Sequence, residues 1–293
     1  MNLDMVIISI FCMIDDLFKQ LGRRIRGRGF APGLTDAEAV TIETVGELIG
    51  LDTDKSIFEY FRRHYSEWFP ALRKMHRTTF VRQSANLSSI KEWLWQRLLP
   101  PEQASPFSIV DSFPVSVCRF VRATSARLFH SLAAYGKDHG GKATIFGFRF
   151  HVRISSEGWI RRLAVAPANV SDTAMLPQLV EKTQGCCLGD RNYWQPDLKT
   201  EFKDQGLEIC APFRMRSTDP MPERSRIISR HRQLIETVFS QLRERFNIKR
   251  VWARDTWHLA NRVIRKVLAH TLGLKLNLTR HVSPLQLAKL FAY

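Results

Sequence analysis

Apolar residues recur at helical spacing through the first hundred positions and at strand spacing after them, so the chain changes character once. Val40, Ile42, Val45, Leu48 and Ile49 fall along one side of a helix. The segment Thr35-Asp-Ala-Glu38 before them reads as a capping box. Its hydroxyl accepts from the amide three residues on, and the carboxylate reaches back to the Thr amide. Residues 56–65 and 78–87 predict two further helices, and Ser89–Leu99 a third with its own Ser89-Ile-Lys-Glu92 box. The ten residues from Met5 to Ile14 are apolar and stop at Asp15 and Asp16. A spanning helix needs about 20 residues, so this run reads as an amphipathic first helix. Leu99-Pro-Pro-Glu102 breaks the helical pattern and marks a domain boundary.

Beyond it, Phe107-Ser-Ile-Val-Asp111-Ser-Phe predicts a short buried strand ending on a carboxylate. Residues 123–142 are weakly periodic and read as a long connection. Thr144–Ile154 and Trp159–Ala166 form a hairpin around Ser155-Ser-Glu-Gly158. Helices are expected over 172–182 and 196–205, with strands at Gly185–Asp190 and Leu207–Cys210. Two long helices close the chain, at about 227–246 and 257–280. Strands alternating with helices after a hairpin predict an α/β fold with a mixed sheet. The expected organisation is an all-helical domain over 1–102 and an α/β domain over 103–293 that includes the C-terminal helices.

Charge adds a partner. The 293 residues hold 44 Lys and Arg against 28 Asp and Glu, a net +16 with a pI near 10.1, which favours a polyanion. The excess is uneven: residues 1–100 carry +2, 101–200 carry +4 and 201–293 carry +10. Between Arg224 and Arg254 nine basic residues meet two acids, Glu236 and Glu244, which reads as a phosphate-tracking surface. An apolar share of 44%, with 19 Phe and 7 Trp, supports a real core and excludes global disorder. The five cysteines form no Cys-x-x-Cys pair, which excludes a disulfide framework and reads as reduced thiols. Asp4 stands where a signal peptide would carry basic residues, so none is expected.

Three carboxylates sit where chemistry could use them. Asp111 and Asp190 each follow apolar strand residues, at the strand ends where sites of open sheets lie. Glu236 lies on the shoulder of a helix whose buried stripe is Ile235, Val238, Phe239, Leu242 and Phe246, beside Arg232 and Arg243. Converging, the three would repel one another unless a cation lay among them. Mg²⁺ accepts carboxylates together with waters and phosphate oxygens. Two such ions about 4 Å apart can activate an attacking oxygen and stabilise a leaving one. The alternative is that each Asp caps a turn while Glu236 pairs with Arg232 or Arg243.

These blocks resemble a known family. Asp111 in Ile-Val-Asp-Ser-Phe-Pro, Asp190 in Leu-Gly-Asp-Arg-Asn-Tyr-Trp and Arg232-Gln-Leu-Ile-Glu236 look like the three acidic blocks of DDE transposases of bacterial insertion sequences. Phe146–His151 and Pro167–Asp172 match the block between the first two acids. Leu34–Glu38 and Arg77-Thr-Thr-Phe-Val-Arg82 are similar to segments of the insertion sequence nine-eight-two group. The resemblance covers nearly the whole chain. It implies an RNase H-like core, a helix-turn-helix-like N-terminal DNA-binding domain, and catalysis by Asp111, Asp190 and Glu236 with two Mg²⁺, for which Mn²⁺ substitutes. It further implies cleavage at terminal inverted repeats and strand transfer into target DNA by a homo-oligomer, in the cytoplasm on the nucleoid, with no membrane partner. Around the Glu the family pattern is Tyr, Arg, Glu, Lys; here Ser229 replaces the Tyr and Arg243 the Lys. A nuclease or resolvase of the same fold and a non-catalytic DNA-binding regulator remain as alternatives.

Arg232, Arg243, Arg230, Lys249 and Arg250 are the expected DNA contacts around the site, with Arg77 and Arg82 in the helical domain. Trp194 either stacks on an unpaired base or packs in the core. His130, His139 and His151 lack metal-ligand spacing, and His151 is the one expected to approach substrate. Tyr60, Phe61, Trp68, Phe69, Trp93 and Trp95 read as helix core.

Overall fold

The computed structural model describes residues 1–21, 31–138, 143–193, 196–213, 215 and 218–291. The chain divides into two compact units: residues 1–99 together with 244–293, and residues 100–243. The first break falls at the Leu99–Pro100 junction that the two prolines mark. Of the two C-terminal helices, the first stays with the α/β unit, whereas residues 244–293, with the second, group with the helical unit and not with 103–243 as the sequence pattern suggests.

The helical unit comprises α1 (Leu3–Leu21), α2 (Asp36–Leu48), α3 (Asp54–His64), the short α4 (Ala71–Lys74), α5 (Arg77–Asn86), α6 (Ser88–Leu98) and α10 (Thr256–Thr279). Thr35 caps α2 as its sequence requires: the Glu38 amide donates to the Thr35 hydroxyl, and the Thr35 amide donates to the Glu38 carboxylate at 2.7 Å. The box expected at Ser89 is absent. Only Leu87 separates α5 from α6, and the Lys91 amide already donates to the Leu87 carbonyl, so Ser89 lies inside the helix rather than before it. A capping box that the pattern did not mark stands at Thr53 and Ser56, and starts α3 two residues earlier.

Helix α10 packs against α2, α5 and α6 and is buried on nearly every side, polar residues included. A helix apolar on one face only can be buried this way if its charges find partners. Here they do. Arg265 Nε lies 2.7 Å from Glu47, and its Nη1 lies 3.1 Å from Glu43 and 2.7 Å from Asp54. Lys266 meets Glu47 at 2.7 Å. Lys91 pairs with Glu43 and donates to Asn261 at 2.6 Å, and Arg262 pairs with Asp54 at the rim. Arg265, Lys266 and Lys91 are at most 1% exposed. Part of the +10 of the last third is therefore spent inside the protein and does not face a polyanion.

The balance of this network is visible in Asp54. Burial alone would push its carboxyl up, but the charges of Arg265 and Arg262 outweigh burial and hold it at about 2. A folded-state value below the unfolded one stabilises above the unfolded value and is lost as pH falls through the folded one. Urea unfolding is thus expected to show this stabilisation intact above about pH 4 and draining toward about pH 2, by about 2 kcal/mol. Asp54→Asn should remove that share of the acid sensitivity; an unchanged pH profile in the variant would refute the assignment.

The second unit is built on β1 (Phe107–Ser116), β2 (Ala134–Asp138), β3 (Ala143–Ser155), β4 (Ile160–Pro167), β5 (Gly185–Leu188) and β6 (Leu207–Cys210), with α7 (Asp172–Leu179), α8 (Pro196–Lys203) and α9 (Pro222–Ser240). The sheet order is β2-β3-β1-β5-β6, with β4 also on β3. β1 runs antiparallel to β3 and parallel to β5, which in turn runs parallel to β6. β2 lies within the stretch that the weak periodicity left as a connection. Its five residues pair with Ala143–Gly147 of β3, too few to raise a periodic signal.

Strand alternation sends β1 side chains to two layers. Val110 joins Cys187, Tyr193, Phe202, Leu207 and Ile209 against α7. Phe113 turns the other way, 5.5 Å from Phe150 and 4.7 Å from Phe239 of α9. The expected stripe of α9 and its extension, Ile235, Val238, Phe239, Leu242 and Phe246, is buried throughout. All five cysteines are free, and no described helix is long and apolar enough to cross a membrane.

Candidate active site

Register places the first two acids. β1 and β5 run parallel, and their last pair is Ile109 with Leu188. Asp111 and Asp190 each lie two residues beyond that pair, at the same edge of the sheet. Gly189 makes the turn possible: a Cβ there would stand 2.6 Å from the Tyr193 ring, so only glycine lets the ring pack beneath the loop.

Each carboxylate is held by its own loop. Asp111 Oδ1 accepts the Ser112 amide at 2.8 Å, and Oδ2 meets the Arg232 guanidinium of α9 at 2.9 Å. Asp190 accepts both the amide and the side-chain nitrogen of Asn192 at 2.9 Å. Burial is the main force on Asp111 and pushes its carboxyl up to about 6; Arg232 and the Ser112 amide oppose it, while Asp190 and Asp172 add to it. Asp190 is raised too, again chiefly by burial, with Asp172 adding. Withdrawal from water, more than the neighbouring charges, therefore sets the state of both carboxyls.

Asp172 is a residue that the acid-counting approach passed over, although it closes the block Pro167–Asp172. It starts α7 and accepts from the Ser112 hydroxyl at 2.5 Å. Arg149 donates to that same hydroxyl at 3.1 Å and to the Lys137 carbonyl at 2.6 Å. The His151 Nδ1 lies 3.3 Å from Asp172. Burial would raise Asp172, but His151, Ser112 and Arg149 together hold it low. Ser112 thus fixes Asp111 through its amide and ties to Asp172 through its hydroxyl. Beside them the buried Tyr193 hydroxyl has no hydrogen-bond partner among the described residues, and burial with three acids nearby raises it well above its ordinary value. His151 is fully buried against Asp172 and cannot meet a substrate, contrary to the expectation from its strand position.

Glu236 lies exposed on α9, one turn beyond Arg232, and its side chain makes no ion pair or hydrogen bond among the described residues. Its alternative partners are also excluded: Arg232 is taken by Asp111, and Arg243 is exposed and unpaired among the described residues. Among those residues no three His, Cys, Asp or Glu side chains gather closely enough to hold a metal ion.

Arg230 is exposed on α9 and lines an open cavity of about 510 Å³ with Arg191, Arg226, Ser229 and Gln233. Ser229, at the family's Tyr position, faces this cavity. Arg250 is exposed and Lys249 half-exposed in the helical unit, as Arg77 and Arg82 are exposed on α5. Arg226 pairs with Glu223, and Arg224 lies 3.7 Å from Glu208, which subtracts both from the free basic surface. Trp194 and His139 lie outside the described residues. Of the aromatic set, Phe61, Phe69 and Trp95 are buried, whereas Trp68 is 43% exposed.

A mixed sheet with acids at the edge of its adjacent parallel strands, and an Arg- and Glu-bearing helix on one face, defines an RNase H-like α/β domain. Residues 102–256, just over half of the chain, match the family model described as transposase DDE domain. The chain belongs to that family. No curated protein and no solved structure matches it. Family membership makes it a transposase with DNA as its partner.

Proposed function

We propose that this chain cleaves DNA at the inverted-repeat ends of an insertion sequence and transfers the freed 3′ end into target DNA. The observation that supports this reading best is the pairing of Asp111 and Asp190 two residues beyond one parallel register pair, with both carboxyls pushed up. Two carboxylates at one sheet edge offer the hard oxygen ligands that suit Mg²⁺, and Mn²⁺ in its place. Asp111, Asp190 and Glu236 would hold two such ions. Glu236 shares the helix face of Arg232, four residues earlier, and Arg232 itself reaches Asp111. When bound, the ions supply positive charge to the attacking and leaving oxygens.

The protein's own residues do the rest. The Ser112 amide and Asn192 fix the directions of the two carboxylates. Arg232 balances Asp111 while no substrate is present, and its guanidinium is the nearest donor for a scissile phosphate. Arg230, Arg243, Lys249 and Arg250 contact the DNA backbone beyond it, and Trp194 offers a stacking surface. Residues 1–102, with Arg77 and Arg82, bind the ends in a helix-turn-helix-like manner. The α/β unit, residues 100–243, is the catalytic part of the expected 103–293 domain, and the protein acts as a homo-oligomer on DNA, in the cytoplasm on the nucleoid. The Leu34–Glu38 and Arg77–Arg82 segments support membership of the insertion sequence nine-eight-two group.

The test uses DNA flanking the coding sequence. Footprinting should reveal a pair of inverted repeats, and pre-cleaved copies of those ends should be joined to a supercoiled plasmid in the presence of Mg²⁺. Cutting without joining would instead identify a nuclease or resolvase, and metal-independent binding with neither reaction a regulator.

A further inference from the structure

We propose that the segment between β1 and β2, residues 117–133, drives exposed apolar side chains into a base step of duplex DNA. The inference rests on the DNA reading above and adds to it the segment that leaves the end of the Asp111 strand.

Three observations carry it. The segment exposes apolar surface that a protein normally hides: Val121 is 84% exposed, Phe120 56%, Leu132 46% and Leu128 44%. Contiguous apolar exposure of this kind marks an interaction surface. The segment is also anchored. Phe129, with φ of 58°, packs edge-on against Phe148 at 5.4 Å, and Ala123 is buried. Tyr135 of β2 stacks on Phe146 at 5.1 Å and holds the Phe120 ring at 6.1 Å. With Phe129 packed on Phe148 and Ala123 buried, the short turn Phe120–Ser125 leaves Phe120 and Val121 exposed, and the exposed Tyr135 extends the same apolar surface.

The third observation is charge. No acid occurs between Asp111 and Asp138, while Arg119, Arg122, Arg127 and Lys137 lie in that interval. All four are exposed, and none has an ion pair among the described residues. An apolar ridge inside a purely basic frame complements a ligand that offers anions around an apolar interior. Duplex DNA does so at every step: phosphates flank a stack of bases. Arginine's planar fork matches phosphate oxygens, and apolar side chains wedged between base pairs unstack and kink a duplex.

The experiment uses the full chain, without divalent metal so that the DNA stays intact. Its probe is a duplex carrying the footprinted ends, with 2-aminopurine scanned through it and a fluorophore at each terminus. The wild-type chain should raise 2-aminopurine emission several-fold at one step and shorten the end-to-end distance. Phe120→Ala/Val121→Ala should abolish both signals while weakening binding by no more than about tenfold. Arg119→Gln/Arg122→Gln/Arg127→Gln should instead flatten the slope of log affinity against log salt by about 2 to 3. If the double variant melts early, Val121→Ser alone carries the same comparison.

Binding without unstacking by the wild type, or unstacking kept by the double variant, overturns the wedge and leaves the transposase reading standing. The wedge is equally overturned if the two residues govern only binding to phosphatidylglycerol vesicles or only self-association. Failure of the wild type to bind the duplex at all would overturn the DNA reading itself.

Discussion

Asp111→Asn is expected to abolish metal-dependent cleavage of the DNA ends, by about a thousandfold or more, and to leave duplex binding intact. The substitution keeps the shape of the side chain and the Ser112 amide contact but removes a charge that two neighbours define. A divalent cation loses one of its two buried oxygen ligands, and several kcal/mol of transition-state stabilisation go with it. Binding is spared for a reason specific to this site. Arg232 lies 2.9 Å from Asp111, and losing that partner frees its guanidinium for a phosphate. Gel-shift affinity should therefore stay equal or rise slightly while cleavage vanishes. Glu236→Gln should behave likewise if Glu236 completes the site. Cleavage retained in Asp111→Asn would remove this carboxylate from the chemistry, and the proposed mechanism with it.

How much of this was legible in the sequence depends on the range of the interaction concerned. Asp111 and Asp190 could be read because each ends a short apolar strand, and register did the rest. The α9 stripe could be read because helical period is local, and Ile235, Val238 and Phe239 are all buried. Asp172 was hidden because its meaning comes from Ser112, sixty positions earlier, through a hydroxyl contact that no period encodes. His151 misled for the same reason: a strand position near Asp111 does not tell which layer the ring faces. Alternation puts it with Ser112, against Asp172 and away from solvent.

The family bears out the polyanion partner that net charge suggests, but not every cation of the last third faces it, because a cation's destination depends on acids that can be far away in sequence. Arg265 and Lys266 find theirs on α2 and α3, more than 200 positions earlier. Composition could show that the last third holds +10; only packing shows which of those charges face water. Arg230, Arg243, Arg250 and Arg254 remain exposed and without ion pairs among the described residues, and they are the better candidates for phosphates.

That buried network yields the second large effect. Arg265→Met is expected to destabilise the protein by about 3–5 kcal/mol, since removing one member of a buried set strands the others. Arg265 alone touches Glu43, Glu47 and Asp54. Without it, Lys91 and Lys266 are left with Glu43 and Glu47, and Asp54 with Arg262 alone, in surroundings from which water is largely excluded. Burial already pushes both lysines below their ordinary range, which makes their charged forms the costlier to keep. Replacing the set together should behave differently. Glu43→Leu/Glu47→Leu/Lys91→Met/Arg265→Met/Lys266→Met removes the buried acids together with all three cations they hold and leaves Asp54 to Arg262, and its cost should fall well below that of Arg265→Met alone, because apolar packing needs no compensation. Urea unfolding of both variants checks the pair. A single substitution costing under about 1 kcal/mol would show that water reaches these groups and that the network does not hold α10 in place.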